Sequence, residues 1–201
     1  MQPRILRFLS ALSLPALCLA GALGVAAPAD DPVAPPDVLR VSTVPYRVPD
    51  VKLVRQDGTA TTLEQEMNDG RPVVLNFIFT SCEAICPMMT HIFAEFQKKL
   101  GAESSHVHLM SISIDPEQDT PERLREYAQR FHAGPGWTFY TGTEAASVTT
   151  QKAFNVFRGE KMDHTAVTLL RVTPGATWQR LDGFATPDDL IQRYHALLAA
   201  H

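Results

Sequence analysis

Two cysteines four positions apart, Cys82 and Cys86, with Pro87 directly after the second, are the residues of this sequence best suited to chemistry. They lie in Phe79-Thr80-Ser81-Cys82-Glu83-Ala84-Ile85-Cys86-Pro87, which follows the apolar run Val73-Val74-Leu75-Asn76-Phe77-Ile78-Phe79. A run of that length and character reads as a strand buried on both faces. Met88, Ile92, Phe93, Phe96 and Leu100 then follow helical spacing, and Gly101 ends the pattern. The pair therefore falls where a strand stops and a helix begins. In an open α/β sheet that carboxyl end is where loops leave a crevice for a ligand. Pro87 makes Cys86 the expected helix N-cap, where unpaired N–H groups and the positive end of the helix favour thiolate over thiol.

A structural disulfide suits such a pair poorly, because closing a four-residue loop gains little entropy. Structural zinc normally takes four ligands, and only two cysteines fall in the domain. Redox exchange and binding of a soft metal remain, and the spacing alone does not choose between them. Two thiolates and one imidazole suit Cu(I), and added oxygen or water ligands adapt the set to Cu(II). Of the seven histidines, His91 falls on the helix after the cysteines, and His106, His108, His132, His195 and His201 lie near element ends and read as solvated. His164 differs. It sits in Lys161-Met162-Asp163-His164-Thr165, just ahead of an apolar strand, and in thioredoxin-like folds the loop before that strand packs beside the cysteine loop. Met88 and Met89, at helical positions, read as packing residues rather than ligands.

The elements that must position these residues are legible. Val51–Arg55 alternates and ends in Gln56-Asp57-Gly58-Thr59, a short hairpin strand. Val107–Ile114 is a second buried strand, and Asp119-Thr120-Pro121-Glu122 opens a helix whose face is Leu124, Tyr127, Ala128 and Phe131. On this reading Asp119, with Thr120, is a helix cap and Asp115 a strand-end turn residue, with Asp115 bordering the cysteine site as the alternative. Trp137–Tyr140 is a short strand and Glu144–Phe157 a helix. Ala166–Val172 and Trp178–Phe184 form a hairpin around Pro174-Gly175, and Thr186-Pro187-Asp188-Asp189 resembles a capping box before Leu190–Ala199. That order predicts an α/β fold, a thioredoxin-like sandwich with a central mixed sheet flanked by helices and an N-terminal hairpin extension.

The chain has 201 residues and a net charge of −4, enough length for one domain with a sizeable core. Arg4 and Arg7 precede an uncharged, Leu- and Ala-rich stretch from Phe8 to Ala29, and every acidic residue lies from Asp30 onward. A body this acidic, without a Lys/Arg run, argues against nucleic-acid binding and against a basic membrane-surface patch. Residues 1–29 read as an export signal ending in Ala27-Pro28-Ala29, or as a membrane anchor through residues 5–29. Leu17 ahead of Cys18 does not fit a lipoprotein signal. Either way the domain is expected outside the cytoplasm, in a periplasm, soluble or held at the outer face of the cytoplasmic membrane. Residues 30–49, with Pro32, Pro35, Pro36, Pro45 and Pro49, read as an extended linker, so the domain is expected over 50–201.

Thr80-Ser81-Cys82-x-x-x-Cys86-Pro87, then Asp115-Pro116-x-x-Asp119-Thr120-Pro121, then Asp163-His164-Thr165, in this order, resembles the Sco/SenC family of thioredoxin-fold copper proteins. The resemblance runs from about residue 45 to the C-terminus. It implies one copper, Cu(I) or Cu(II), held by Cys82, Cys86 and His164. It further implies a metallochaperone serving the binuclear copper centre of cytochrome c oxidase, with a copper-receiving oxidase subunit or another copper chaperone as partner. The alternative is a thiol–disulfide oxidoreductase that uses Cys82 and Cys86 to reduce cysteines of a client protein without metal delivery. A peroxiredoxin-like peroxidase shares the fold and would want an arginine, Arg158 or Arg171, beside its reactive cysteine. The family usually has Pro and then an acidic residue after the first cysteine, where this chain has Glu83 and Ala84. The aspartate of its late hairpin is Thr173 here. These departures put an auxiliary carboxylate ligand in question, with Glu83 the candidate substitute.

Overall fold

The computed structural model describes residues 39–200. The expected export or anchor segment and the linker up to residue 38 lie outside the described residues, as do Cys18 and His201. Among the described residues no helix is long and apolar enough to cross a membrane.

The chain runs β1 (Arg40–Val44), β2 (Lys52–Arg55), β3 (Ala60–Thr62), α1 (Leu63–Met67), β4 (Val73–Ile78), α2 (Ile85–Leu100), β5 (His108–Ser113), α3 (Pro121–Arg130), β6 (Trp137–Gly142), α4 (Glu144–Ala153), β7 (Val167–Arg171), β8 (Trp178–Asp182) and α5 (Pro187–Ala199). One mixed sheet of eight strands has the order β1-β8-β7-β4-β5-β6-β2-β3. β4, β5 and β6 are parallel, whereas β7 is antiparallel to β4 and β8 to β7. The β2–β3 hairpin extends the sheet beyond β6. This is the expected mixed sheet flanked by helices with an N-terminal hairpin.

β4 is buried along its whole length because its alternating side chains feed two cores. Val74 and Ile78 pack with Phe93 and Phe96 of α2, Tyr127 of α3 and Leu190 of α5. Val73, Leu75 and Phe77 pack on the other face with Leu63 and Met67 of α1, and with Phe154 just past α4. A polar thread crosses the three parallel strands inside this apolar layer: Ser111 Oγ donates to Asn76 Oδ1 at 2.7 Å, and Trp137 Nε1 donates to Ser111 Oγ at 3.0 Å. The later helices start as their sequences require. Thr120, Thr143 and Thr186 each accept a backbone N–H in the first turn, and Thr186 with Asp189 completes the capping box.

Two expectations are corrected. The linker read over 30–49 contains β1, paired antiparallel to β8 from Arg40↔Asp182 to Val44↔Trp178. Its prolines flank Arg40-Val41-Ser42-Thr43-Val44 without entering it, and those five residues, rich in β-branched side chains, are free to pair. His108 is not solvated. It is 1% exposed, with Nδ1 3.1 Å from the Glu66 carbonyl and Nε2 2.8 Å from the Tyr140 hydroxyl. It opens β5 inside the polar cluster that joins the hairpin and α1 to the sheet, and burial above all lowers its basicity, with Arg71 adding to the effect.

Phe93 is fully buried, with its ring 5.8 Å from that of Trp137, and it carries α2 onto the sheet. Phe93→Ala is expected to cost about 3–5 kcal/mol. Urea unfolding should show a lower midpoint at unchanged slope; a midpoint within error of wild type would contradict this packing role.

Candidate metal centre

β7 pairs with β4 from Val73↔Arg171 only as far as Asn76↔Thr168. Because β7 is antiparallel, the chain entering it arrives where β4 ends. His164, three positions before β7, is thereby brought to the strand end from which the cysteine loop departs. Peptide groups alternate between the two edges of a strand, and Ile78 turns its carbonyl towards β5, where the Ile114 N–H donates to it at 2.8 Å. Phe77 and Phe79 face the β7 edge, beyond the last ladder pair. Buried peptide groups need partners, and here side chains provide them. The Phe77 carbonyl accepts from His164 Nε2 at 3.0 Å, and the Phe79 N–H donates to Cys86 Sγ at 3.4 Å.

His164 is 5% exposed. A carbonyl only accepts, so Nε2 carries the ring proton and Nδ1 holds the lone pair, the nitrogen a metal requires. Burial above all lowers the basicity of the ring and Arg158 adds to this, outweighing the Phe77 hydrogen bond, so the imidazole is neutral at neutral pH. A second partner that fixes tautomer and ring orientation is the usual support of a ligating histidine.

The cysteines divide their roles in an unexpected way. The N-cap of α2 is Ala84, which has no side-chain cap, and Cys86 lies two positions inside the helix. Cys82 supplies the missing acceptor: the Cys86 N–H donates to Cys82 Sγ at 3.4 Å. Partial burial opposes ionisation of Cys82, but the backbone N–H groups of Cys86, Ala84 and Ile85 outweigh it and draw the thiol below its ordinary range. Cys86 is fully buried. Burial pushes its thiol far up, and a negative Cys82 beside it pushes the same way. The lowered thiol pKa expected at Cys86 thus belongs to Cys82, because the helix starts two residues earlier than Pro87 implied. Both cysteines are free thiols. Thr90 anchors this first turn, donating to the Cys86 carbonyl at 2.7 Å and lying 2.9 Å from the Tyr127 hydroxyl.

Cys82 and His164 line one cleft of about 220 Å³, together with Phe79, Glu83, Ile85, Lys161 and Met162. Cys86 is buried outside that lining, with its backbone N–H on Cys82 Sγ. The structure thus collects the three expected residues around the last peptides of β4. It does not close them into a coordination set, since among the described residues no three His, Cys, Asp or Glu side chains are grouped so as to hold an ion. The donor chemistry fits a soft cation nonetheless: two sulfurs and one imidazole nitrogen with its lone pair free.

Other expectations change. Of the two residues read as the cap of α3, Thr120 is the cap and Asp119 is not. Asp119 is fully buried and accepts from Thr80 N at 3.2 Å, Thr80 Oγ1 at 2.5 Å and Ser113 Oγ at 2.6 Å. Burial raises its pKa against those hydrogen bonds, and the charge of Asp115 contributes to the rise. Thr173 lies in the β7–β8 turn, past the end of β7 that pairs with the start of β4, so its departure from the family pattern falls away from the cysteines. Glu83 is exposed at the cleft rim. Met88 is half-exposed rather than packed, whereas Met89 is buried. Arg171 donates to the Met67 carbonyl and to Asn68 at the far end of β7, and Arg158 to the carbonyls of Asn155 and Phe157, so the hydrogen bonds of both arginines go elsewhere than the cysteines.

A family model described as SCO1/SenC matches residues 46–199. A SCO1 protein homolog of Bacillus subtilis is 38% identical over 104 residues, covering 51% of this chain and 53% of the relative. A SCO2-like protein of Rickettsia conorii is 32% identical over 108 residues, covering 54% of this chain and 51% of the relative. The chain thus spans about half the length of these curated relatives. Among solved structures, BsSco, described as a member of the Sco family of cytochrome c oxidase assembly proteins and in connection with a disulfide switch, superposes with a TM-score of 0.65 at 28% identity, over 77% of this chain and 95% of that one. Arabidopsis thaliana ScoI with copper bound gives a TM-score of 0.66 at 25% identity, over 76% of this chain and 98% of that one.

The division between the cysteines has a direct readout. In the reduced protein at pH 7, Cys82 is expected to react with iodoacetamide about tenfold or more faster than Cys86, since each pKa unit changes the thiolate fraction tenfold. Peptide mapping of partly alkylated protein checks this, and preferential labelling of Cys86 would reverse the assignment.

Proposed function

This chain belongs to the SCO1/SenC family, and on that footing we propose that it is a copper metallochaperone for assembly of the binuclear copper centre of cytochrome c oxidase. It binds one copper ion through Cys82, Cys86 and His164, outside the cytoplasm, and yields it to an oxidase subunit or to another copper chaperone. The observation that carries this reading is the His164 Nε2 hydrogen bond to the Phe77 carbonyl. It fixes the tautomer a ligand needs on a residue beside the thiol pair, whereas disulfide exchange does not call on the Nδ1 lone pair. Two copper-bound Sco structures at 25% identity support the same cargo.

The arrangement suits cargo that must leave. Three ligands at an open cleft leave one side of the ion accessible to an incoming ligand, unlike a closed four-ligand cage. Both cysteines must be reduced, and each loses its proton on binding the ion. The lowered pKa of Cys82 makes its loss the easier one, whereas for Cys86 the attraction of the cation must offset the burial that keeps it protonated. Copper uptake therefore releases protons and weakens as pH falls.

The asymmetry of the cysteines favours a second reading. A half-exposed thiol of lowered pKa beside a buried protonated one is also how a thiol–disulfide reductase is built. Cys82 thiolate would attack a client disulfide, releasing one client thiolate. Cys86 would then lose its proton and attack Cys82 sulfur, releasing the second and leaving a Cys82–Cys86 disulfide.

His164 separates the two. Anaerobic Cu(I) titration of the reduced protein should show one equivalent bound, and Cys82→Ser, Cys86→Ser and His164→Ala should each lose competitive retention of it. If His164→Ala retains copper like wild type while either cysteine variant loses reductase activity, the reductase reading replaces the chaperone.

A further inference from the structure

We propose that Lys161 is a positioning residue for the metal centre: its ion pair with Asp115 completes a hydrogen-bonded chain that ties the loop carrying His164 to the loop carrying the cysteines. This rests on the copper reading and adds to it a residue outside the ligand set.

Apart from the His164 Nε2 bond to the Phe77 carbonyl, the histidine loop has little to hold it in register. Its own backbone bonds are internal, Asp163 N–H to the Glu160 carbonyl at 3.1 Å and His164 N–H to the Lys161 carbonyl at 3.2 Å. They shape a short 3-10 turn over Lys161–Asp163 without fixing where that turn sits on the sheet. Lys161 does fix it. Its Nζ donates to Asp115 Oδ2 at 2.5 Å and stands 5.7 Å from the centre of the Phe79 ring. Asp115 follows β5, and its N–H donates to Ser113 Oγ at 3.0 Å. Ser113 Oγ donates to Asp119 Oδ2 at 2.6 Å, and Asp119 Oδ1 accepts from Thr80 Oγ1 at 2.5 Å. Thr80 lies two positions before Cys82. Every link from one loop to the other is a direct hydrogen bond routed through the end of β5.

An exposed ion pair would be expected to contribute little. This one is buried on one side, because the Asp115 side chain is only 8% exposed although that of Lys161 is 40% exposed. The Lys161 ammonium also covers the ring of Phe79, whose N–H holds Cys86 Sγ. One side chain thereby touches the supports of both halves of the centre. Only Met162 and Asp163, in a tight turn, separate it from His164, so a displaced Lys161 displaces the imidazole.

The test compares Lys161→Met, which keeps an unbranched stem without the charge, with Lys161→Arg, which restores a cation, and with Asp115→Asn. In metal-free protein, amide exchange at Asp163 and His164 should accelerate in Lys161→Met, while amides of β4 and β5 keep their rates. Cu(I) affinity, measured by competition with a chelator, should fall by about tenfold or more, as for other groups that orient a ligand. Lys161→Arg should recover most of both, and the double variant with Asp115→Asn should be no weaker than Lys161→Met alone. Wild-type exchange and affinity in Lys161→Met overturn the proposal, as do additive losses in the double variant. If the wild-type protein takes up no copper, the copper reading fails by itself, and amide exchange alone then decides whether Lys161 holds the loop.

Discussion

The centre depends on two peptide groups that the sheet leaves unpaired. β7 stops pairing with β4 after Asn76, and the next groups on that edge, the Phe77 carbonyl and the Phe79 N–H, are taken by His164 and Cys86. Buried backbone that lacks a partner is costly. The end of the ladder therefore does more than leave a crevice. It selects side chains able to accept and donate at that spot, and those two side chains bring a neutral imidazole and a sulfur to the same strand end. An antiparallel β7 is essential to this, because only that direction delivers the residues before it to the carboxyl end of β4.

The helix after the cysteines adds a second constraint. α2 begins with an alanine that cannot cap it, and Cys82 sulfur receives the N–H a serine or aspartate oxygen would otherwise take. One sulfur is thereby held ready for ionisation at the cleft, while the other stays buried and protonated until something draws its proton away. Both copper binding and disulfide exchange begin from that state. The imidazole is where they differ, because only copper binding would use the lone pair that its fixed tautomer leaves on Nδ1.

Much of this was legible in the sequence. β4 showed as an apolar run because it is buried on both faces, and Thr120 and Thr186 stand at real helix starts. The cysteine spacing and Asp163-His164-Thr165 pointed to the residues that the structure gathers at one strand end. What stayed hidden depends on contacts distant in the chain. Pro87 placed the start of α2 too late, since a proline is tolerated anywhere in the first turn and only the bonds to Cys82 show where that turn begins. The prolines around Arg40–Val44 masked an edge strand that forms because β8 offers it a partner. Asp119 resembles a cap in sequence, and its true partners, Thr80 and Ser113, reach it only in the folded chain. Lys161 carried no local signal: a lysine in a polar loop is ordinary until Asp115, 46 positions away, is seen against it.

The account stands on which ring nitrogen of His164 is free. Long-range proton–nitrogen NMR of the imidazole, in the reduced metal-free protein and after one equivalent of Cu(I), reads this directly. The expected result is a neutral ring protonated at Nε2 in both states, with a large shift confined to Nδ1 when the metal is added. A ring protonated at Nδ1, or one whose signals do not change with Cu(I), would contradict it.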